Sequence, residues 1–279
     1  MSALLTGGSG FLGRWLRPLL PDPVCAPSSA ELNLCDPASI ERVLRDCRPQ
    51  LVFHLAALTD VRADAAQLQR VNAAGTVHLL QALARYAPRA RLLVVSSCHV
   101  VGRPRYLPMD EEHPLEPRSA YAVSKADAER AVRAARPDAI IVRPFNLLGP
   151  GQPPQHAVSE WLARVRDGAT ELRVGDLSLR RDYLDVRDCA EGLALLMQRA
   201  AAGSTLNLCS GRAVAMRRLA ELAAPGLPLR LDPARLRPGE APILLGDNRR
   251  ARALGWEPTR PLQVSVNALR ESIAGQRGV

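Results

Sequence analysis

Tyr121 and Lys125 stand four residues apart in Tyr121-Ala122-Val123-Ser124-Lys125, and side chains of these two types can move a proton. Of 37 basic residues, Lys125 is the single lysine; all the others are arginine. An ammonium is a compact donor with a movable pKa, whereas a guanidinium stays charged and planar. Four residues make one helical turn, so the two side chains share a face. A cation placed there is expected to favour the phenolate, lowering a pKa that starts near ~10. A tyrosine poised that way gives or takes a proton at neutral pH. A lone Y-x-x-x-K is usually a pair of surface residues, so the reading depends on what positions it.

The start of the chain supplies that frame. Ala3-Leu4-Leu5-Thr6 reads as a strand, Gly7-Gly8-Ser9-Gly10-Phe11-Leu12-Gly13 as a glycine loop, and Arg14 to Leu20 as a helix. Gly8, Gly10 and Gly13 make G-x-G-x-x-G, and Gly7, Gly10 and Gly13 the wider G-x-x-G-x-x-G. Such glycines let backbone N–H groups and a helix N-terminus meet a pyrophosphate. An acid holding the ribose 2′-hydroxyl is common about 20 residues on. Here the second strand, Val24-Cys25-Ala26-Pro27, runs into Ser28-Ser29 with no acid at its end. That gap, with Arg14 just past the loop, tilts the expected cofactor toward NADP(H) over NAD(H).

Further strands and helices alternate. Glu31-Leu32-Asn33-Leu34 reads as a strand end, and Asp36-Pro37 caps a helix through Arg45. The run from Gln50 to Ala57 reads as a buried parallel strand, in which His54 is expected as a hydrogen-bonded core residue. A helix follows from Asn72 to Arg85, a strand at Arg91–Val95 ending in Ser96-Ser97, the Tyr121 helix, and a strand at Ala139–Val142. Repeated βα units imply a doubly wound parallel sheet, whose ligands collect at the carboxyl ends of the strands. The second half is richer in Pro and Arg, with a helix at Val158–Asp167 and a strand at Asp182–Val186. Arg187-Asp188 opens another helix, Asp188 as its cap, and Thr205–Leu208 is a last strand before a small closing lobe. The expected architecture is α/β, Rossmann-like, with residues 1–145 and about 182–210 forming the dinucleotide-binding part. Residues 146–181 and 211–279 then form a smaller substrate-binding lobe.

The net charge of +9 and pI near 9.9 raise nucleic acid as a partner. The arginines are scattered among 28 acids, with no basic run and no aromatic stacking run, so an anionic small substrate is the better inference. No 18-residue apolar span and no basic leader occur, so the expectation is a soluble, cytoplasmic protein without a membrane partner. The six cysteines show no C-x-x-C or His-Cys cluster and read as reduced and buried, with no metal site.

Taken together, these residues resemble the extended short-chain dehydrogenase/reductase family, across nearly the whole chain. The matching pieces are Thr6 to Gly13, His54-Leu55-Ala56-Ala57, Val71-Asn72-Ala73-Ala74-Gly75-Thr76, Ser96-Ser97, and Tyr121 with Lys125. Within the family, three segments look like those of GDP-6-deoxy-4-keto-mannose reductases: Arg143 to Gln152, Arg180 to Asp188, and Arg237-Pro238-Gly239-Glu240. The resemblance implies that Ser97 donates a hydrogen bond to a substrate carbonyl and that Tyr121 passes it a proton. It implies that Lys125 holds the nicotinamide ribose and lowers the phenol pKa. Gly7, Gly10, Phe11, Leu12, Gly13, Asn33, Leu34, Ala56, Ala57 and Pro144 would line the dinucleotide. Asn146, Arg181 and Arg237 would hold a nucleotide-sugar diphosphate, and Glu240 ribose hydroxyls.

The expected activity is NAD(P)H-dependent reduction of a nucleotide-linked 4-keto-6-deoxyhexose, GDP-linked, by a homodimer. A 4-epimerase with tightly bound NAD uses the same Ser, Tyr and Lys, and a non-catalytic dinucleotide-binding scaffold is a more distant reading. Two departures stand out. Val101 replaces the tyrosine of the family's S-x-x-V-Y-G, and His99 stands where dehydratases of the family carry an acid. Loss of that acid argues against a 4,6-dehydratase and leaves His99 as a filler or a second proton carrier.

Overall fold

The computed structural model describes residues 1–60, 63–237 and 239–275, so Pro238 of the Arg237–Glu240 motif lies outside the described residues. In chain order the strands begin with β1 (Ala3–Thr6), β2 (Val24–Cys25), β3 (Leu51–His54), β4 (Arg91–Val95), β5 (Ile140–Pro144) and β6 (Asn146–Leu148). They continue with β7 (Leu172–Val174), β8 (Arg180–Asp185), β9 (Thr205–Leu208), β10 (Ala213–Ala215), β11 (Leu229–Leu231) and β12 (Ile243–Leu244). The helices are α1 (Gly13–Leu16), α2 (Pro37–Cys47), α3 (Ala65–Leu68), α4 (Gly75–Tyr86) and α5 (Ala120–Ala135), then α6 (Ala157–Arg166), α7 (Val186–Arg199), α8 (Met216–Ala223), α9 (Arg249–Ala253) and α10 (Leu262–Ala274).

β1, β3, β4 and β5 are short apolar runs buried almost throughout, as strands covered on both faces must be. They build a six-stranded parallel sheet of order β2-β1-β3-β4-β5-β9. The chain leaves β1 toward β2, then returns to β3 on the other side, so the switch point falls between β1 and β3. Side chains alternate between two apolar layers. Leu5, Phe53, Leu93 and Val142 pack with α7 and Trp256; Leu4, Val52, Leu92 and Ile141 pack with α2 and α4. β8 pairs with β6, β10 and β12 in a second sheet, and α6, α8 and α10 share an apolar cluster with β7. Residues 182–210 are therefore divided, β8 lying in the small sheet and β9 in the large one. Among the described residues no helix is long and apolar enough to cross a membrane.

Several local expectations are corrected. The Glu31–Leu34 segment is a turn, because Glu31 Oε2 accepts from the Ser28 N–H at 2.7 Å and Asn33 Oδ1 from the Cys35 N–H at 2.9 Å. Such local side-chain bonds compete with a strand ladder. The helix expected from Asn72 is instead α3, a π turn over Gln69–Ala74, and then α4. Asp185, rather than Asp188, caps α7, accepting from the Arg187 N–H at 2.8 Å. Asp188 is buried in the first turn, where it accepts from Thr259 Oγ1 at 3.1 Å and the Arg260 N–H at 3.0 Å.

The cysteines differ most. Cys25 and Cys47 form a disulfide and Cys35 is exposed, so six reduced, buried thiols are not what the chain has. Pairing β2 with β1 and packing α2 beneath the sheet brings two Cα atoms 22 residues apart in sequence to 6.4 Å, within bridging range. Cysteine usage then no longer argues for a reducing compartment.

Candidate active site

β1 ends at Thr6 and the chain turns on Gly7, whose φ of 74° suits a residue without a Cβ. A Cβ on Gly7 would lie 2.8 Å from the Ala56 amide nitrogen, and one on Gly13 2.1 Å from the Gly7 carbonyl oxygen. The loop therefore seats directly on the end of β3 and the start of α1. Gly10 is exposed, while Phe11, Leu12, Ala56 and Ala57 are half-buried around it. Arg14 donates from Nε to Gly10 O at 3.4 Å, and its guanidinium lies 2.7 Å from where a Gly151 Cβ would be. Its contacts are thus with the glycine loop and the turn after β6.

A directional hydrogen-bond chain runs behind the loop. Thr76 Oγ1 donates to Asn72 O at 2.6 Å, since a carbonyl cannot donate, and so it accepts from His54 Nε2 at 3.1 Å. His54 Nδ1 then accepts from Thr6 Oγ1 at 2.8 Å, and Thr6 accepts from the Ala56 N–H at 3.2 Å. Burial, with the Lys125 charge adding to it, lowers the His54 pKa to about 3. His54 is a neutral core residue, as its place within β3 implied.

Asn72 is the functional candidate that the choice of site residues left out. Its Nδ2 donates to Leu58 O and to Ser124 Oγ, both at 3.0 Å, and its Oδ1 accepts from the Leu58 N–H at 2.7 Å. Ser124 Oγ in turn donates to Tyr121 O at 2.8 Å. Asn72 thereby ties the segment after β3 to the turn carrying Tyr121 and Lys125. The Val71–Thr76 match was the available signal; the π turn that presents Asn72 has no periodicity to betray it.

Ser97 caps a 3₁₀ turn over Cys98–Val101, its Oγ accepting from the His99 N–H at 3.3 Å, which leaves the hydroxyl hydrogen to donate elsewhere. Ser119 caps α5 by accepting from the Ala122 N–H at 3.1 Å, which sets Tyr121 in the first turn. Burial pushes the Tyr121 pKa up to about 12, with a hydrogen bond from Ser97 opposing it. Lys125 is buried and donates from Nζ to Val95 O at 2.7 Å. Burial lowers its pKa to about 8, and Glu129 works against that lowering. The expected depression of the phenol pKa by the lysine is corrected: the ammonium turns to the sheet, and desolvation governs the phenol. Tyr121 is therefore a protonated acid at neutral pH. His99 meets Tyr121 edge-on, with ring centroids 6.4 Å apart. His99 is exposed as a residue, while burial of its ring, then the Arg181 and Arg237 charges, lower its pKa to about 4.

On the other lobe, Asn146 Nδ2 donates to Asp182 O at 2.9 Å, fastening β6 to β8. Arg181 is buried, directing NH1 to the carbonyls of Ala241 at 2.8 Å and Arg180 at 3.0 Å, and NH2 to Glu240 Oε2 at 3.4 Å. Arg237, with 63% of its side chain exposed, approaches Glu240 Oε1 at 3.9 Å. Glu240 thus lies between two guanidiniums, and both act on His99 beside Tyr121. Ser97 is linked to Tyr121, and His99 beside that ring is linked to the Arg181–Glu240–Arg237 cluster. Pro144 is buried at the end of β5, opposite Leu208 of β9. Asn33 is exposed with Oδ1 turned onto Cys35, and Leu34 is buried in the α2–α4 layer, 2.7 Å from where a Gly75 Cβ would be.

A glycine loop at a sheet switch point, with a hydroxyl after β4 facing a phenol in the first turn of α5, defines a Rossmann-like α/β protein of the dinucleotide-binding class. Residues 3–209 match the family described as NAD dependent epimerase/dehydratase. GDP-6-deoxy-D-mannose reductase of Pseudomonas aeruginosa is 33% identical, over 95% of this chain and 94% of that protein. UDP-glucose 4-epimerase of Mycolicibacterium smegmatis is 30% identical, over 92% of this chain and 94% of that protein. The structure of RMD from Pseudomonas aeruginosa complexed with NADPH aligns with a TM-score of 0.88 at 31% identity, covering 99% of each chain. This chain belongs to the NAD dependent epimerase/dehydratase family, whose members are NAD(P)-dependent oxidoreductases and epimerases. Its residues fit such a cofactor. The tight turn on Gly7 and Gly13 leaves Gly10 exposed at the switch point, and Ser96 Oγ, buried after β4, has no hydrogen-bond partner among the described residues.

Proposed function

We propose that the protein reduces the 4-keto group of a nucleotide-linked 4-keto-6-deoxyhexose, GDP-linked, with NADPH preferred to NADH. The observation that carries this reading is the run of contacts from Ser97 through Tyr121 and His99 to the Arg181–Glu240–Arg237 cluster. Similarity to a GDP-6-deoxy-D-mannose reductase through both lobes supports it. Bound cofactor supplies a hydride. Ser97 donates a hydrogen bond to the carbonyl oxygen, and Tyr121, protonated because its pKa is about 12, gives that oxygen its proton. Lys125, charged below a pKa of about 8 and seated on Val95 O, keeps further ammonium hydrogens with which it would hold the nicotinamide ribose. Arg181 and Arg237 take the diphosphate charge, for which a planar guanidinium is suited, and Asn146 and Glu240 orient the rest. His99, neutral in place of an acid, leaves elimination without its proton carrier. The missing acid at the end of β2 admits a 2′-phosphate. On this reading residues 1–145 with the returning segment of about 182–210, less β8, form the dinucleotide-binding part, and 146–181 with 211–279 hold the sugar nucleotide. The working form is a cytoplasmic homodimer.

The test is loss of reduced-nicotinamide absorbance on adding the keto-sugar. No loss with any GDP-, dTDP- or UDP-linked 4-keto-sugar removes the proposal. The second reading, a 4-epimerase, is favoured by 30% identity to a UDP-glucose 4-epimerase over 92% of the chain. An epimerase purifies with NAD attached and needs none added, so the cofactor content of fresh protein separates the two.

A further inference from the structure

The step from Tyr121 to Lys125 repeats twice more along α5, to Glu129 and then Arg133. Lys125 and Glu129 are 6% and 4% exposed, so a cation and a carboxylate one turn apart are both out of water. Arg143 of β5 forks Glu129, Nε to Oε1 at 3.0 Å and NH2 to Oε2 at 2.7 Å, and its NH1 continues to Glu111 O at 3.1 Å. Arg133 turns NH1 to the carbonyls of Ala139 at 3.0 Å and Gly203 at 2.9 Å. Arg143 ion-pairs this carboxylate, while Lys125 and Arg133 feel its charge from farther off.

The groups facing Lys125 can be named element by element. Its own helix offers Tyr121 and Glu129; β3 offers His54; β4 offers the Val95 carbonyl. Tyr121 is protonated and His54 neutral at pH 7, so neither supplies a counter-charge. Arg143 of β5 brings only positive charge, and Asn72 and Ser124 are uncharged. Glu129 is the acid that acts on the lysine.

We propose that Glu129 is a positioning residue for Lys125: locked by Arg143, its carboxylate keeps the lysine an ammonium seated on the Val95 carbonyl. A buried lysine without a counter-charge reverts to a neutral amine, which carries no charge and cannot donate three hydrogen bonds. The fork from Arg143 removes the rotamer freedom of Glu129, so the negative charge stays at one place. This deepens the reductase reading, and only its turnover arm rests on that reading.

Because Lys125 is the only lysine, protein grown on ε-labelled lysine gives one ε-methylene signal, and its titration reads this group without any substrate. Wild type should titrate near pH 8. Glu129→Gln should titrate lower by about one pH unit or more, with Glu129→Asp between them. Since Glu129→Gln strands Arg143, the double variant Glu129→Leu/Arg143→Met serves as the folded control, and its signal should also move down. In the keto-sugar assay the alkaline limb of kcat should move with the signal while KM changes little. A variant that melts as wild type yet titrates as wild type overturns the proposal, as does a double variant whose titration returns to the wild-type value. Failure of the keto-sugar assay counts against the substrate and leaves the titration result standing.

Discussion

Lys125 Nζ donates to Val95 O at 2.7 Å, so the one lysine of the chain is pinned to the last residue of β4, whose continuation carries Ser97. The ammonium is thus part of the sheet's edge rather than a partner turned toward the phenol. A guanidinium there would need room for a planar fork in a site that is 6% exposed. Lys125→Arg should lower turnover by roughly 10²–10⁴-fold. Overpacking should also destabilise the fold by about 1–3 kcal/mol. Arg45→Lys, Arg85→Lys and Arg199→Lys, on exposed helix positions, should change turnover little. Steady-state rates with thermal melts on the four variants decide it; a Lys125→Arg protein that keeps most of its rate ends the assignment.

The pH dependence follows from two groups with opposite behaviour. Burial lowers Lys125 to about 8, so its charge is present below that pH and lost above it. Tyr121 is raised to about 12, so it remains a proton donor throughout. The reduction rate should therefore be level through neutrality and fall as pH rises through about 8. A limb near ~10, where a solvated lysine titrates, would show that Lys125 is not the group involved.

The two arginines of the substrate cluster should separate by what each is tied to. Arg237 is largely exposed and pairs with Glu240 at 3.9 Å, so Arg237→Ala should raise KM for the sugar nucleotide with an unchanged melt. Arg181 serves the Ala241 and Arg180 carbonyls, so Arg181→Ala should raise KM and also lose about 1–3 kcal/mol for the acceptors left buried. Equal effects of both changes on melting would contradict this division.

Thiol counting checks the disulfide directly. Unreduced, denatured protein should expose the four thiols of Cys35, Cys98, Cys189 and Cys209, and six after reduction. Cys47→Ser should cost about 3 kcal/mol, the loop-closure value for a separation of 22 residues. Six thiols before reduction would remove the bond from the account.

Much of the frame was legible because it rests on local patterns. Short β-branched and leucine-rich runs mark β1, β3, β4 and β5, since strands buried on both faces leave no polar alternation. Asp36 followed by Pro37 marks the start of α2, where Asp36 Oδ1 accepts from the Ala38 N–H at 3.1 Å. Gly7, Gly10 and Gly13 mark the turn by their spacing, and at Gly13 the constraint is local, since a Cβ there would meet Gly7 and Gly8; at Gly7 it comes from distant Ala56. The types and the order of Ser97, Tyr121 and Lys125 were likewise legible in the sequence.

Tertiary structure decided whatever depends on burial and on contacts between distant segments. Tyr121 is protonated rather than ionised because desolvation outweighs any charge one turn away, and desolvation is a property of the packed cleft. Asn72 reaches Ser124 through a π turn, and Cys25 meets Cys47 because sheet pairing and helix packing bring them together. Asp188 turned out to hold Arg260 across 72 residues, while the neighbouring Asp185 took the cap. Spacing along a helix says which side chains share a face. Which of them meets solvent, a carbonyl or another charge is settled only when the layers close.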